Sequence, residues 1–192
     1  MSSKEQMLAA VRKNKPVGKG LPDLLSFPSA EDLVGKYIKS IHLNGGSVEK
    51  LESISQGQSF IEDNFAKGIK TVSLIDEITG NVDIRGISDP HGLADVELAV
   101  IRGKVGVAEN AATWVSEKDL VHRVLPFITQ HLIIVLDADQ MVDNMHDAYQ
   151  KINLQDEGFG VFIAGPSKTA DIEQALVIGA HGARSLTVFI LG

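Results

Sequence analysis

Two runs in the second half of the chain are apolar at almost every position, HLIIVLD (131–137) and LTVFIL (186–191). A strand covered on both faces has no polar side to show. These runs therefore predict central strands of a parallel sheet flanked by helices. FGVFIAG (159–165) predicts a third strand of the same kind. Between them, MVDNMHDAYQKI (141–152) and TADIEQALVIG (169–179) predict helices. In the latter, Ile172, Ala175, Leu176 and Gly179 recur at i, i+3, i+4 and i+7. Thr169 stands at its N-cap position, with Asp171 and Glu173 in the first turn. The order β-α-β-α-β with short connections predicts right-handed crossovers and a doubly wound α/β sheet.

The first half is less regular. A helix is predicted over 30–43, capped by Ser29, with Leu33, Val34, Tyr37, Ile38 and Ile41 as its apolar face and Gly45-Gly46 as its stop. A strand near 47–50, a helix near 57–67 and strands at 71–75, 95–101 and 111–115 follow, with a loop-rich section over 76–95. Residues 3–13 suit a short helix with Met7, Leu8 and Val11 on one side. Pro16, Gly18, Gly20, Pro22 and Pro28 then interrupt regular structure. The chain thus divides into an N-terminal helical arm (1–28) and an α/β domain (29–192).

Composition narrows the chemistry. The 192 residues contain no cysteine, which excludes a disulfide framework, a thiolate metal site and a cysteine-ligated iron–sulfur cluster within this chain. The net charge of −7 is spread along the sequence and argues against nucleic acid as a partner. No apolar run is long enough for a membrane span, and MSSKEQMLAAVRKNKP lacks the apolar core of a signal peptide. These features fit a cytoplasmic protein. The six histidines form no metal-binding spacing, so no metal site is expected.

Two stretches carry candidate chemistry. In AGPSKTAD, the step Gly165, Ser167, Lys168 and Thr169 follows an apolar strand and supplies two hydroxyls and a cation. At the carboxyl end of a parallel strand, before a helix, it would suit a carboxylate or phosphate; it would equally serve to start the helix. In VAENAA, Glu109 and Asn110 lie between two strands, and the glutamate is a candidate nucleophile or a partner of backbone amides. His91, beside Asp89, could line a cleft. Asp76-Glu77 and Asp137/Asp139 follow apolar strands and could face the cleft of the 165–169 step or cap the next helices. His181 reads as a residue at the far end of the 169–179 helix, and Trp114 as core.

AGPSKTADIEQALVIGAHGARSLTVFIL resembles the C-terminal signature of the LutC/YkgG-type lactate utilization proteins, the LUD-domain family, and GLADVELAVIRGKVGVAENAATWV (92–115) resembles that family's central segment. The family pattern often has Arg at the place of Lys168 and Gly at the place of Ala111. The resemblance implies a fold like that of the NagB/RpiA/CoA-transferase group. It also implies a part in oxidising L-lactate to pyruvate, beside two iron–sulfur proteins that carry the clusters this chain lacks. More distantly, Glu109-Asn110 resembles the glutamate-bearing turn of class I CoA-transferases. A standalone transferase or sugar-phosphate isomerase, a carboxylate-sensing module, and self-association all stay open at this point.

Overall fold

Side chains of the 131–137 run alternate between two separate cores, and that alternation organises the molecule. The structure is a computed structural model that describes residues 2–16, 18, 20, 29–172 and 175–192. Its helices are α1 (Ser3–Lys13), α2 (Leu33–Leu43), α3 (Ser55–Asn64), α4 (Leu125–Ile128), α5 (Met145–Lys151) and α6 (Leu154–Glu157). Its strands are β1 (Ser47–Leu51), β2 (Thr71–Ser73), β3 (Leu98–Arg102), β4 (Val105–Val107), β5 (Thr113–Ser116), β6 (His131–Asp137), β7 (Met141–Val142), β8 (Gly160–Ile163), β9 (Lys168–Ile172), β10 (Ala175–Ile178) and β11 (Ser185–Leu191).

Five strands form a parallel sheet in the order β1-β11-β6-β3-β2. Leu132, Ile134 and Leu136 of β6 join one core, while Ile133 and Val135 join the other. The neighbouring strands divide likewise: Leu186, Val188 and Ile190 against Phe189 in β11, and Ala99 and Ile101 against Leu98 and Val100 in β3. Tyr37 and Ile41 of α2 close the first core, and Ile61 of α3 closes the second. Gly57 lets α3 lie close, because a Cβ there would come within 2.8 Å of the Phe189 ring.

A second sheet, in the order β7-β4-β5-β8, packs on the first core through Val115 and Met141. Its outer face makes a third core with α5, where Trp114 meets Ala148 and Ile152. Trp114 is a buried core residue, as its place in a strand suggests. The architecture is thus α/β, with a mostly parallel central sheet flanked by helices.

Several predicted elements change. FGVFIAG does not enter the parallel sheet: β8 is a half-buried edge strand, antiparallel to β5. The 141–152 helix begins only at Met145, where Asn144 caps it by accepting from Asp147 N–H at 3.1 Å, and Met141–Val142 pair with β4 instead. Asp32, not Ser29, caps α2, accepting from Gly35 N–H at 2.7 Å. The helix expected over 57–67 runs Ser55–Asn64.

The largest change is at 169–179. In place of a helix, β9 and β10 form a two-stranded antiparallel ribbon. Ser167 closes its base: its N–H donates to Ala183 C=O at 2.8 Å and its C=O accepts from Gly179 N–H at 3.0 Å. Gly179 supplies a φ of +80° where the chain leaves the ribbon.

The predicted N-terminal helix is present as α1, with a Ser2–Glu5 capping box. Its Met7, Leu8 and Val11 are exposed and meet no core among the described residues. Residues 21–28 of the predicted arm lie outside the described residues.

Candidate functional site

The β4–β5 turn carries Glu109 and Asn110. Val107 N–H donates to Ala112 C=O at 2.8 Å across it, and Asn110 Oδ1 accepts from Ala112 N–H at 2.9 Å. This folding drives Ala111 to a φ of +57°. Left-handed backbone costs a residue with a Cβ about 1 kcal/mol, which is a physical reason for glycine to be favoured here.

Neighbouring elements hold the turn from two sides. Ser40 of α2 donates to Ala108 C=O at 2.9 Å, and Asn44 Nδ2 donates to Asn110 C=O at 2.8 Å. On the other side, Glu109 N–H donates to Asp143 C=O at 3.0 Å, and Glu109 Oε1 accepts from Met145 N–H, the first residue of α5, at 2.9 Å. The Asp143 carboxylate is buried and accepts from Lys36 and from Ala30 N–H. The Lys36 hydrogen bond, above all, holds its pKa below the ordinary carboxylate value.

The 165–168 segment reaches the same place from the far end of the sequence. Gly165 has a φ of +127° and lies against Asn44, the C-cap of α2: a Cβ there would stand 2.9 Å from Asn44 C=O. Gly45, at φ +82°, lies under the Lys168 side chain, with a Cβ position 3.5 Å from Lys168 Nζ. A cation is favoured there, because the carbonyl end of α2 carries partial negative charge.

Together these segments line a cavity of about 470 Å³ whose walls include Ser40, Asn44, Glu109, Asn110, Pro166 and Lys168. It offers an ammonium, a carboxylate, two amides and a hydroxyl. An ammonium and a carboxylate in one cavity are complementary to a small ligand that carries both an anionic group and a hydrogen-bond donor such as a hydroxyl. Glu109 is exposed and accepts from Met145 N–H at the start of α5.

The other candidates fall elsewhere. Thr169 does not cap a helix; it pairs with Val177 in the ribbon. Ser167 spends its backbone N–H on Ala183, so the step offers no helix N-terminus to an anion. His91 is exposed on a 3-10 turn, bonded to Asp89 at 2.8 Å, and does not line the cavity. His181 is exposed in the bend after β10 and ends no helix. Asp139 lies in a 3-10 turn and makes no cap. Asp76 and Glu77 follow β2 at the carboxyl end of the parallel sheet, as Asp137 does on β6. The 165–168 segment lies at the amino end, beside the entry to β1, so these acids do not share its cleft. Ser40 and Asn44 are not singled out by the sequence; their one signal is their place in α2's last turn and at its C-cap, just before Gly45-Gly46.

Comparison with known proteins gives the chain a family. The model of the LUD domain matches residues 34–191. Over 90 residues the chain is 32% identical to the lactate utilization protein C of Bacillus pumilus, covering 44% of this chain and 38% of that protein. It is 32% identical over 89 residues to an uncharacterized protein of Neisseria meningitidis serogroup B, covering 45% of this chain and 38% of that one. The matched stretch thus spans well under half the length of these relatives. The crystal structure of a DUF162 family protein from Deinococcus radiodurans superposes with a TM-score of 0.63 over 83% of this chain and 96% of that one, at 14% identity, a likeness of fold. The chain belongs to the LUD domain family.

Proposed function

We propose that this protein serves an L-lactate utilization system as an accessory or substrate-handling subunit, and that the Glu109–Lys168 cavity binds a small hydroxy acid. One observation carries the reading: two segments more than fifty residues apart in sequence, both within the family match, bring a cation and a carboxylate to one cavity of about 470 Å³. The similarity to a lactate utilization protein C supports the system. Oxidising lactate to pyruvate releases two electrons. The chain has no cysteine to hold an iron–sulfur cluster, so in this reading iron–sulfur partner proteins accept them.

The test is calorimetric titration of the purified chain with L-lactate, with a pull-down from lactate-grown host cells assayed for iron and acid-labile sulfide. We expect saturable lactate binding that weakens at least tenfold in Lys168→Ala, and iron-containing proteins in the eluate. Heat changes that do not saturate in the wild type, or binding indifferent to Lys168→Ala, would remove lactate from this cavity. An iron-free eluate would remove the partners.

A further inference from the structure

The Glu109–Lys168 cavity has more room, and a different wall, than lactate needs. A three-carbon acid displaces roughly four waters, on the order of 120 Å³ at about 30 Å³ each. The cavity measures about 470 Å³, so most of it stays open around such a ligand. Beside the polar groups, Leu43, Ala164 and Pro166 line it.

The close approach of two segments builds this apolar wall. Leu43 is the last residue of α2, and Asn44, directly after it, lies against Gly165, between Ala164 and Pro166. The bare Cα of Gly45 makes room for the next step. A Cβ there would stand 3.8 Å from Pro166 Cγ and 3.5 Å from Lys168 Nζ. The proline ring and the ammonium therefore meet over one glycine. An anionic group on Lys168 has an apolar surface within reach of a short side chain of its own.

Leu43 is the least covered part of that surface. It is 77% exposed, more than any other large apolar side chain among the described residues, and it packs on none of the three cores. A lone exposed leucine is ordinary. This one shares a cavity with Pro166, Ala164 and a cation, and folding leaves it uncovered. An aliphatic group entering the cavity would take it out of water.

We propose that the cavity prefers a 2-hydroxy acid with an aliphatic side chain of about four carbons over lactate, and that Leu43 sets this preference. The inference rests on the hydroxy-acid reading above and adds the side chain to it. The carboxylate and hydroxyl take the polar groups, and the side chain lies over Pro166 and Leu43.

The test is calorimetric titration of the full chain with glycolate, L-lactate, L-2-hydroxybutanoate and L-2-hydroxy-4-methylpentanoate. Each methylene that leaves water should tighten binding up to about fourfold, the equivalent of about 0.8 kcal/mol. The six-carbon acid is expected to bind at least tenfold more tightly than L-lactate. Leu43→Ser should lower the ratio of six-carbon-acid to glycolate affinity about fivefold. Leu154→Ser, at a 54% exposed leucine of α6 outside the cavity, should not move that ratio. Equal affinities along the series, or a ratio that Leu43→Ser leaves where it was, would overturn the inference and keep lactate in the cavity. Binding of the six-carbon acid without lactate would uphold it and remove lactate as the ligand. Saturable binding of none of the four acids would overturn both readings.

Discussion

The strand pair β6–β11 and the ribbon β9–β10 are built from similar residues and are held in opposite ways. Thr, Val, Ile and Leu make up most of β6, β11 and β10, while β9, KTADI, mixes them with Lys168 and Asp171. In β6 and β11 the middle residues 132–136 and 186–190 are all buried, and each strand pairs on both sides. Among the described residues the ribbon has no third strand, and Val177 and Ile178 are 40% and 50% exposed. A two-stranded ribbon alone is marginal in water. This one is anchored at its base by the two hydrogen bonds of Ser167. The difference teaches that strand-forming residues make scaffold where each strand has a neighbour on both sides, and a separate ribbon, with Val177 and Ile178 exposed, where each has a neighbour on one. The ribbon begins at Lys168, one of the residues of the candidate site.

The sharpest way to break the comparison is at the scaffold. Phe189 is fully buried, edge-on to Phe60 at a centroid distance of 5.2 Å, and against Gly57. Phe189→Ala should cost about 3–5 kcal/mol, because the rigid sheet and α3 cannot collapse into the space. Urea denaturation measures it. A loss below about 1 kcal/mol would mean that the second core is loosely packed and that burial does not separate the scaffold from the ribbon.

The joint between the two regions is Gly165. Its φ of +127° and its closeness to Asn44 C=O leave no room for a side chain. Gly165→Ala should destabilise by roughly 1–3 kcal/mol, the cost of a strained backbone position. It should also weaken ligand binding at the Glu109–Lys168 cavity, since Asn44 braces the 109–110 turn. Unchanged melting and binding would show that the 165–168 segment does not pack on α2.

The same contrast explains what could be read from sequence. β6 and β11 were legible because continuous apolar runs have one meaning when helices and sheets cover both faces. Their division into two cores was not, since every position is apolar and the pattern does not say which side faces which layer. FGVFIAG looks equally continuous, yet it is half-buried at an edge; the run reveals a strand and not its neighbours. The 169–179 stretch satisfied a helical spacing with small and aliphatic residues that suit a strand as well. What decided it lies outside the stretch, in Ala183 and Ser167, whose pairing is a tertiary fact. In the site, Glu109, Asn110 and Lys168 were legible through their residue types and flanking strands. Ser40 and Asn44 were not, because the end of a helix gives no sign of what it will face.

The ribbon itself can be tested by a coupling that a helix could not produce. Thr169 and Val177 are directly paired across β9 and β10. Facing side chains on such a pair interact by about 0.2–1 kcal/mol. In a helix the same two residues, eight apart, would be separated by about 12 Å along the axis, beyond contact. A double-mutant cycle of Thr169→Ala and Val177→Ala therefore discriminates the two. Each single change should be small, within about 0.5 kcal/mol, since Val177 is partly exposed and Thr169 half-buried. The cycle should still return a favourable coupling at the lower end of the pair range, about 0.2–0.4 kcal/mol. Strict additivity would point to the helical arrangement, and with it to a helix N-terminus at Thr169 that could take an anion after all. The smallest of the expected effects thus bears most directly on how Lys168 is presented.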